Sequence, residues 1–485
     1  MTDELCYRSA GESIRAFRAG ESSPVELMRA VLERAERQTA SLNATTAIHA
    51  EAALAAASAA EARYRAGTAR PLEGIPVAIK EETSVAGWRK TIGSFLWDEV
   101  PTAHHPMVDK LIAAGAIPHL QTSVPEFCLI GQTLSRRYGV SRNPWNPAIT
   151  PGGSSGGSGA ALAAGMAPLA TGSDMAGSIR IPAAMCGVYG FKPPFGRLAS
   201  APGEELFAFA VEGPMARTVE DLALMQNVIA GPHPATYSGM PYVPLPAEPA
   251  AIAGLRIGLS FTTGHTTLCP DTRRNLERAG AALERAGAII EPVDLRWDGE
   301  ALANALIEAI FGIFLDEYLS KLPAEKLDQG SSYLRWLMER YCGKRNSITK
   351  AAGLALGLHQ ELEHKLWGRG IAALICPTVF ATDIAADLDL ASVREVPIGD
   401  TRVDSYLGWV ATPPFNLLSR YPALAAPTGL AANGVPTSLQ IVGPAFDDAI
   451  VFRIAHHFAR VTDGGLYRRH FPPGCGVDGG RTERL

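Results

Sequence analysis

Strand-like and helix-like stretches alternate along this 485-residue chain, and that alternation limits the fold more than any other feature. In Gly74-Ile75-Pro76-Val77-Ala78-Ile79-Lys80, apolar Ile75, Val77 and Ile79 fall at every second position, the period of a strand. A helical stretch from Val108 ends at Gly115 and leads into Ala116-Ile117-Pro118. The same unit returns downstream, as the strand Leu255-Arg256-Ile257-Gly258-Leu259, a helix over about 272–286, and Ala288-Ile289-Ile290. Residues 372–377 and 438–442 read as further strands, and 450–460 as a closing helix. Such a pattern predicts an α/β protein with a largely parallel or mixed sheet.

The opening of the chain is helical. Ser23-Pro24-Val25-Glu26 has the form of a capping box with proline at the first helical position, and Met28, Val31, Leu32 and Ala35 follow at helical spacing. An alanine-rich helix is expected over 50–65. Residues 231–250 are proline-rich and aperiodic, as in a linker or surface excursion, and 300–368 are mainly helical. Phe311, Phe314, Tyr318, Tyr333, Trp336, Tyr341 and Trp367 in that stretch are expected in the core. With 47% hydrophobic and 19% charged residues, the chain has the composition of a globular protein, not a disordered one. A net charge of −5 without a strongly basic window argues against a nucleic-acid partner. Its seven cysteines are scattered, with no CxxC, no HExxH and no clustered ligand spacing, so free thiols and no metal or other cofactor are expected. Asp3, Glu4 and Glu12 interrupt the first twenty residues, and no run of about 18 apolar residues occurs. A soluble, cytoplasmic protein without membrane contact is the expectation.

Chemistry concentrates in residues 150–180, TPGGSSGGSGAALAAGMAPLATGSDMAGSIR. A flexible linker does not fit, because structured apolar sequence flanks the glycines. A phosphate loop needs Lys and Ser/Thr after its last glycine, and Gly157 is followed by Ser158-Gly159-Ala160. Gly152-Gly153-Ser154-Ser155-Gly156 matches the G-x-S-x-G nucleophile elbow. That elbow must follow a strand, which the prolines at 144, 147 and 151 forbid.

The run Gly152–Ser158, followed by Gly172-Ser173-Asp174-Met175-Ala176-Gly177-Ser178-Ile179-Arg180, resembles the amidase signature family. Gly74, Pro76 and Lys80 match that family's G-x-P-x-x-x-K strand, and Asn143–Pro147, Gly187–Pro193, Gly213–Arg217 and Gln440–Pro444 also read like its segments. The resemblance implies one large mixed sheet flanked by helices. It divides the chain into an N-terminal helical segment (1–70), a signature core (71–230), a variable, mainly helical substrate region (231–370) and a C-terminal part of the same α/β domain (371–485). It also implies a triad of Lys80, Ser154 and Ser178. Ser178 would be the nucleophile, and Ser154, after a cis Gly153–Ser154 peptide, would relay the proton to Lys80.

The residue types suit that chemistry. A serine hydroxyl attacks only when a base removes its proton. No histidine sits in an evident catalytic motif, whereas lysine serves as a base once burial lowers its pKa. Backbone N–H groups of Met175, Ala176, Gly177 and Ser178 are candidate oxyanion donors. Ser155 is expected as a supporting hydrogen-bond donor, and Asp174 and Arg180 as polar holds on the loop. Taken singly, a serine in a glycine-rich turn is a turn residue and a lysine at a strand end is solvated. Only the combination points to catalysis. Ala176, Met175, Glu81 and Ser419 depart from the family's usual residues without removing a triad member. The expected activity is C–N bond hydrolysis of a small amide or carbamate (urethane), aryl or apolar, by an unaided monomer or homodimer. The alternative is the glutamine-hydrolysing subunit of a tRNA-dependent amidotransferase. A third possibility, an inactive scaffold or binding module, is disfavoured by the intact triad.

Overall fold

A computed structural model of the chain describes residues 2–205, 207–263, 267–343, 347–462, 464–468 and 470–475. Eleven strands build its main sheet: β1 (Thr45–Ile48), β2 (Pro76–Lys80), β3 (Ile117–Thr122), β4 (Leu169–Asp174), β5 (Tyr189–Lys192), β6 (Val211–Ala216), β7 (Arg256–Leu259), β8 (Ile289–Pro292), β9 (Ala373–Pro377), β10 (Ala423–Leu430) and β11 (Pro436–Val442). Their order across the sheet is β1-β3-β2-β4-β6-β5-β10-β11-β9-β7-β8. Parallel pairs at β3-β2-β4 and β9-β7-β8 flank an antiparallel centre, so the sheet is mixed, as expected. The 71–230 and 371–485 stretches meet where β5 pairs β10, Lys192 opposite Ala423. The 231–370 stretch contributes β7 and the edge strand β8, joined by the helix Pro270–Arg285, and then further helices.

Every residue of β2 is buried, which explains its apolar sequence. The capping box at Ser23 forms as expected, its hydroxyl accepting from Glu26 N and Glu26 reaching back to Ser23 N at 2.8 Å. The helices Gly299–Tyr318 and Ser347–Lys365 close a second apolar cluster in which Phe311, Tyr333 and Tyr341 are buried, as expected, whereas Tyr318, Trp336 and Trp367 pack against it half-buried and the Phe314 side chain lies outside the described residues. Among the described residues Cys6, Cys128, Cys186, Cys269, Cys376 and Cys475 form no disulfide. Among the described residues no helix is long and apolar enough to cross a membrane.

The helix Gly156–Ala163 lies wholly inside the protein, packed on β2, β4 and the helix Arg180–Cys186. Its glycine and alanine content is the condition for that depth. A Cβ on Gly157 would lie 2.4 Å from Ser123 N and 2.6 Å from Ser123 O, closer than atoms can approach. Gly353, on the solvent face of its helix, faces open space. Gly157→Ala is therefore expected to lower the stability by about 1–3 kcal/mol. Gly353→Ala should leave it unchanged or raise it by about 0.5–1 kcal/mol. Urea unfolding midpoints of the two variants check this, and equal midpoints would refute the close-packing account.

Candidate active site

Lys80 ends β2, and its side chain is fully buried. Its backbone N–H donates to Thr171 Oγ1 at 2.9 Å, which locks the strand end to β4. Nζ donates to Ser154 Oγ at 2.7 Å and to Ser173 Oγ at 2.7 Å, and it lies 2.8 Å from Glu82 Oε1. Three acceptors at these distances match the three N–H bonds of an ammonium. The Ser173 hydroxyl in turn donates to Glu82.

The charge state differs from the sequence expectation. Burial acts to lower the Lys80 pKa, but negative charge from Cys128, when ionised, and from Glu82 outweighs it, and the net shift is upward. Burial and Glu82 push the Cys128 thiol far up, so in the neutral range it carries no charge and Glu82 is the acting partner. Burial opposes ionisation of Glu82, yet Lys80 holds its carboxyl below the usual range. With Glu82 Oε1 2.8 Å from Nζ, Lys80 rests as a paired ammonium, and its shift is upward where the sequence led to the expectation of a pKa lowered by burial.

Ser154 and Ser155 enter the helix Gly156–Ala163, and both are buried. The Gly153–Ser154 peptide is cis, as the resemblance implied. Ser154 alone of the two reaches Lys80. Ser155 N donates to Ser178 O at 3.1 Å, and its hydroxyl makes only long contacts of 3.4 Å with the Ser173 backbone. Ser178 sits in the turn between β4 and the helix Arg180–Cys186, 8% exposed. Among the described residues its hydroxyl has no hydrogen-bond partner, so the structure joins Lys80 to Ser154 and leaves the Ser154–Ser178 link open.

The turn bearing Ser178 hangs on a buried ion pair. Arg180 Nε and Nη2 donate to the two carboxyl oxygens of Asp174, each at 2.9 Å. Asn416 Nδ2 donates to Asp174 Oδ1 at 2.8 Å. Arg180 further donates to Asn416 Oδ1 at 2.7 Å and Gln440 Oε1 at 2.9 Å. Burial would raise the Asp174 pKa, but Arg180 outweighs it and holds the carboxyl at about 2. Gly177 donates its N–H to Asp174 Oδ1 at 2.8 Å. That candidate oxyanion donor is thus already engaged, whereas the N–H groups of Ala176 and Ser178 have no acceptor among the described residues. Thr412 Oγ1 donates to Ala176 O at 2.6 Å and fixes the loop from the other side. Gly177 takes a φ of 122°, which favours glycine, and the substituted Ala176 lies outside that region. Glu81, the other departure beside Lys80, is a buried acceptor for Thr91 N and Oγ1, each at 2.6 Å.

Ser178 opens into a narrow pocket lined on one side by Ile307, Ile310, Phe311 and Leu407. Met175, Ala176 and Ile181 line the near side. Tyr406 also faces it, but its hydroxyl is committed to Leu129 O at 2.7 Å. No lining residue is charged.

Sequence reasoning missed Glu82, Ser173, Cys128, Thr412 and Asn416. Glu82 and Ser173 lie inside the quoted motifs' immediate surroundings, but nothing in their spacing marks them as partners of Lys80.

The sequence pattern of the Amidase family matches residues 26–452. The A-type component of the glutamyl-tRNA(Gln) amidotransferase of Ralstonia pickettii strain 12J is 35% identical, over 92% of this chain and 96% of its own. The corresponding component from Chloroflexus aggregans is 34% identical over 95% and 97%. Among solved structures, a bacterial aryl acylamidase of the amidase signature family superposes with a TM-score of 0.85 at 25% identity, covering 94% of this chain and 96% of that one. A 6-aminohexanoate cyclic dimer hydrolase complexed with substrate gives 0.83 at 25% identity, covering 97% and 100%.

The two neighbouring serines separate cleanly by contact. Ser154→Ala removes the hydroxyl on Lys80 and is expected to lower kcat for an amide by about 10²-fold or more, whereas Ser155→Ala should cost clearly less. Steady-state kinetics of both variants check this. Equal losses would count against a special role for the Ser154 hydroxyl in contact with Lys80.

Proposed function

Because the chain belongs to the amidase family, we propose that it hydrolyses the C–N bond of a small amide with an apolar or aryl acyl group, or of a related carbamate, through an acyl-enzyme on Ser178. The observation carrying this reading is the uncharged pocket at Ser178, walled by Ile307, Ile310, Phe311 and Leu407. An acyl group buried there gains about 25 cal/mol per Å² of apolar surface removed from water.

In this mechanism the deprotonated fraction of Lys80 takes the Ser154 proton while Ser154 takes that of Ser178, and Ser178 Oγ bonds to the carbonyl carbon. The resulting oxyanion accepts from the free N–H groups of the 175–178 loop, a single such donor being worth about 3–4 kcal/mol in the barrier. The proton then returns from Lys80 through Ser154 to the departing nitrogen, and the C–N bond breaks. Water repeats the sequence on the acyl-enzyme and releases the acid. The open Ser154–Ser178 link closes when substrate fills the pocket, as catalytic hydrogen bonds commonly do.

A second reading, a glutamine-hydrolysing component of an amidotransferase, is favoured by the identity of 32–35% to such proteins. Glutamine carries an ammonium and a carboxylate, and each requires a charged or strongly polar partner once desolvated. The pocket lining offers neither.

The purified chain alone is expected to turn over aryl or aliphatic amides or carbamates in preference to glutamine, with a serine-directed phosphonate labelling Ser178 and abolishing the activity. Glutamine hydrolysis that appears only with added partner proteins would establish the second reading. Labelling at Ser154 or Ser155 would overturn the choice of nucleophile.

A further inference from the structure

We infer that Glu82 is a positioning residue of the catalytic centre, which aims the Lys80 amine at Ser154 and holds the charge that Lys80 acquires during turnover. This rests on the reading of Lys80 and Ser178 as the reacting pair.

The geometry is a closed triangle. Lys80 Nζ donates to Ser173 Oγ at 2.7 Å, the Ser173 hydroxyl donates to Glu82 Oε1, and the same oxygen lies 2.8 Å from Nζ. Ser154 Oγ occupies the one remaining direction, at 2.7 Å. A neutral amine has two N–H bonds and one lone pair. With Glu82 and Ser173 holding the two N–H bonds, the lone pair falls on the Ser154 side, where a proton must be taken. Without the carboxylate, the amine rotates among three acceptors that are all hydroxyl or solvent oxygens, and the productive orientation becomes one of several.

Charge adds to orientation. When Lys80 accepts the serine proton it becomes a cation inside the protein, which is costly unless an anion accompanies it. Glu82 is that anion. The other groups facing the pair are few. Cys128 approaches Glu82 and Ser154 from the loop after β3 and is a neutral thiol. Asp174, on β4, faces Lys80, but its charge is already paired with Arg180. Glu204, from the loop before β6, lies at longer range, and burial and Glu212 push its carboxyl up to about 7, so it is only partly charged near neutral pH. None of these touches Nζ as Glu82 does.

A paired carboxylate also makes Lys80 a stronger base that is less often deprotonated, so the rate should rise toward alkaline pH. Glu82→Gln keeps the size and hydrogen-bonding capacity of the side chain and removes its charge. Its pH profile, followed both as kcat/KM for an amide and as the rate of phosphonate labelling at Ser178, should move about one pH unit or more toward acid, since an opposite charge at this range typically shifts a pKa by about 1–3 units. The plateau kcat should fall while KM changes little. Glu82→Asp, which retains the charge, should stay near the wild-type profile. A Glu82→Gln profile that superposes on the wild type, or equal effects of Gln and Asp, would overturn the inference. Should Glu82→Gln not fold, Ser173→Ala decides: it opens the triangle and must move the limb in the same direction, and an unmoved limb overturns the inference. Failure to label Ser178 in the unaltered protein would instead refute the catalytic reading itself.

Discussion

A lysine ammonium buried in the interior is the constraint around which this protein is arranged. An ion of this size cannot be left unpaired in a protein interior, where desolvation costs several kcal/mol. Lys80 meets that demand with three oxygens supplied by three segments: Glu82 just past β2, Ser173 on β4, and Ser154 on the glycine-rich entry to the helix Gly156–Ala163. For these to converge, β2 and β4 must be neighbours, and the helix must lie against both. The parallel pairing of Val77 with Leu169 and the absence of side chains at Gly156, Gly157 and Gly159 provide this.

A second buried pair completes the site. Asp174 and Arg180 bracket Ser178, and the ion pair between them sets the curve of the turn. Asn416 and Gln440, from the far half of the chain, satisfy the remaining donors and acceptors. Removing one partner from such a pair is typically destabilising by about 3–5 kcal/mol, because a buried charge is left alone. Ser178 thus sits on a rigid support, while its hydroxyl has no hydrogen-bond partner among the described residues. One side of the site is highly polar and the other is a hydrocarbon wall, a division that suits a substrate whose reacting bond is polar and whose acyl group is not.

Much of the scaffold was legible in the chain. The alternation in 74–80 marks β2 because a central strand needs apolar residues on its buried faces. Lys80, Ser154 and Ser178 were legible through the resemblance of their surrounding motifs. Glu82 was not: a glutamate after a strand end is ordinarily solvated, and only the fold reveals that it turns back onto Lys80. The same limit produced the error about the Lys80 pKa, since burial could be read from the strand and the counter-charge could not. Thr412 and Asn416 lie more than 230 residues from the turn they hold, beyond the reach of any local pattern. Phe311 was expected in the core, and Ile307 and Ile310 were not singled out, because their helical spacing is the same for a core and for a pocket wall.

The central claim is that protons move between Ser178 and Lys80 through Ser154, in both directions. An amine leaves an amide only once its nitrogen is protonated, whereas an aryl alcohol leaves an ester with far less help. Positioned proton transfer is typically worth about 10²–10⁴-fold. The most direct measurement is therefore kcat of Lys80→Ala on an amide and an aryl ester of the same acyl group, across pH. The account predicts a much larger loss on the amide, with the alkaline rise abolished. Equal losses on the two substrates, with the rise retained, would contradict it.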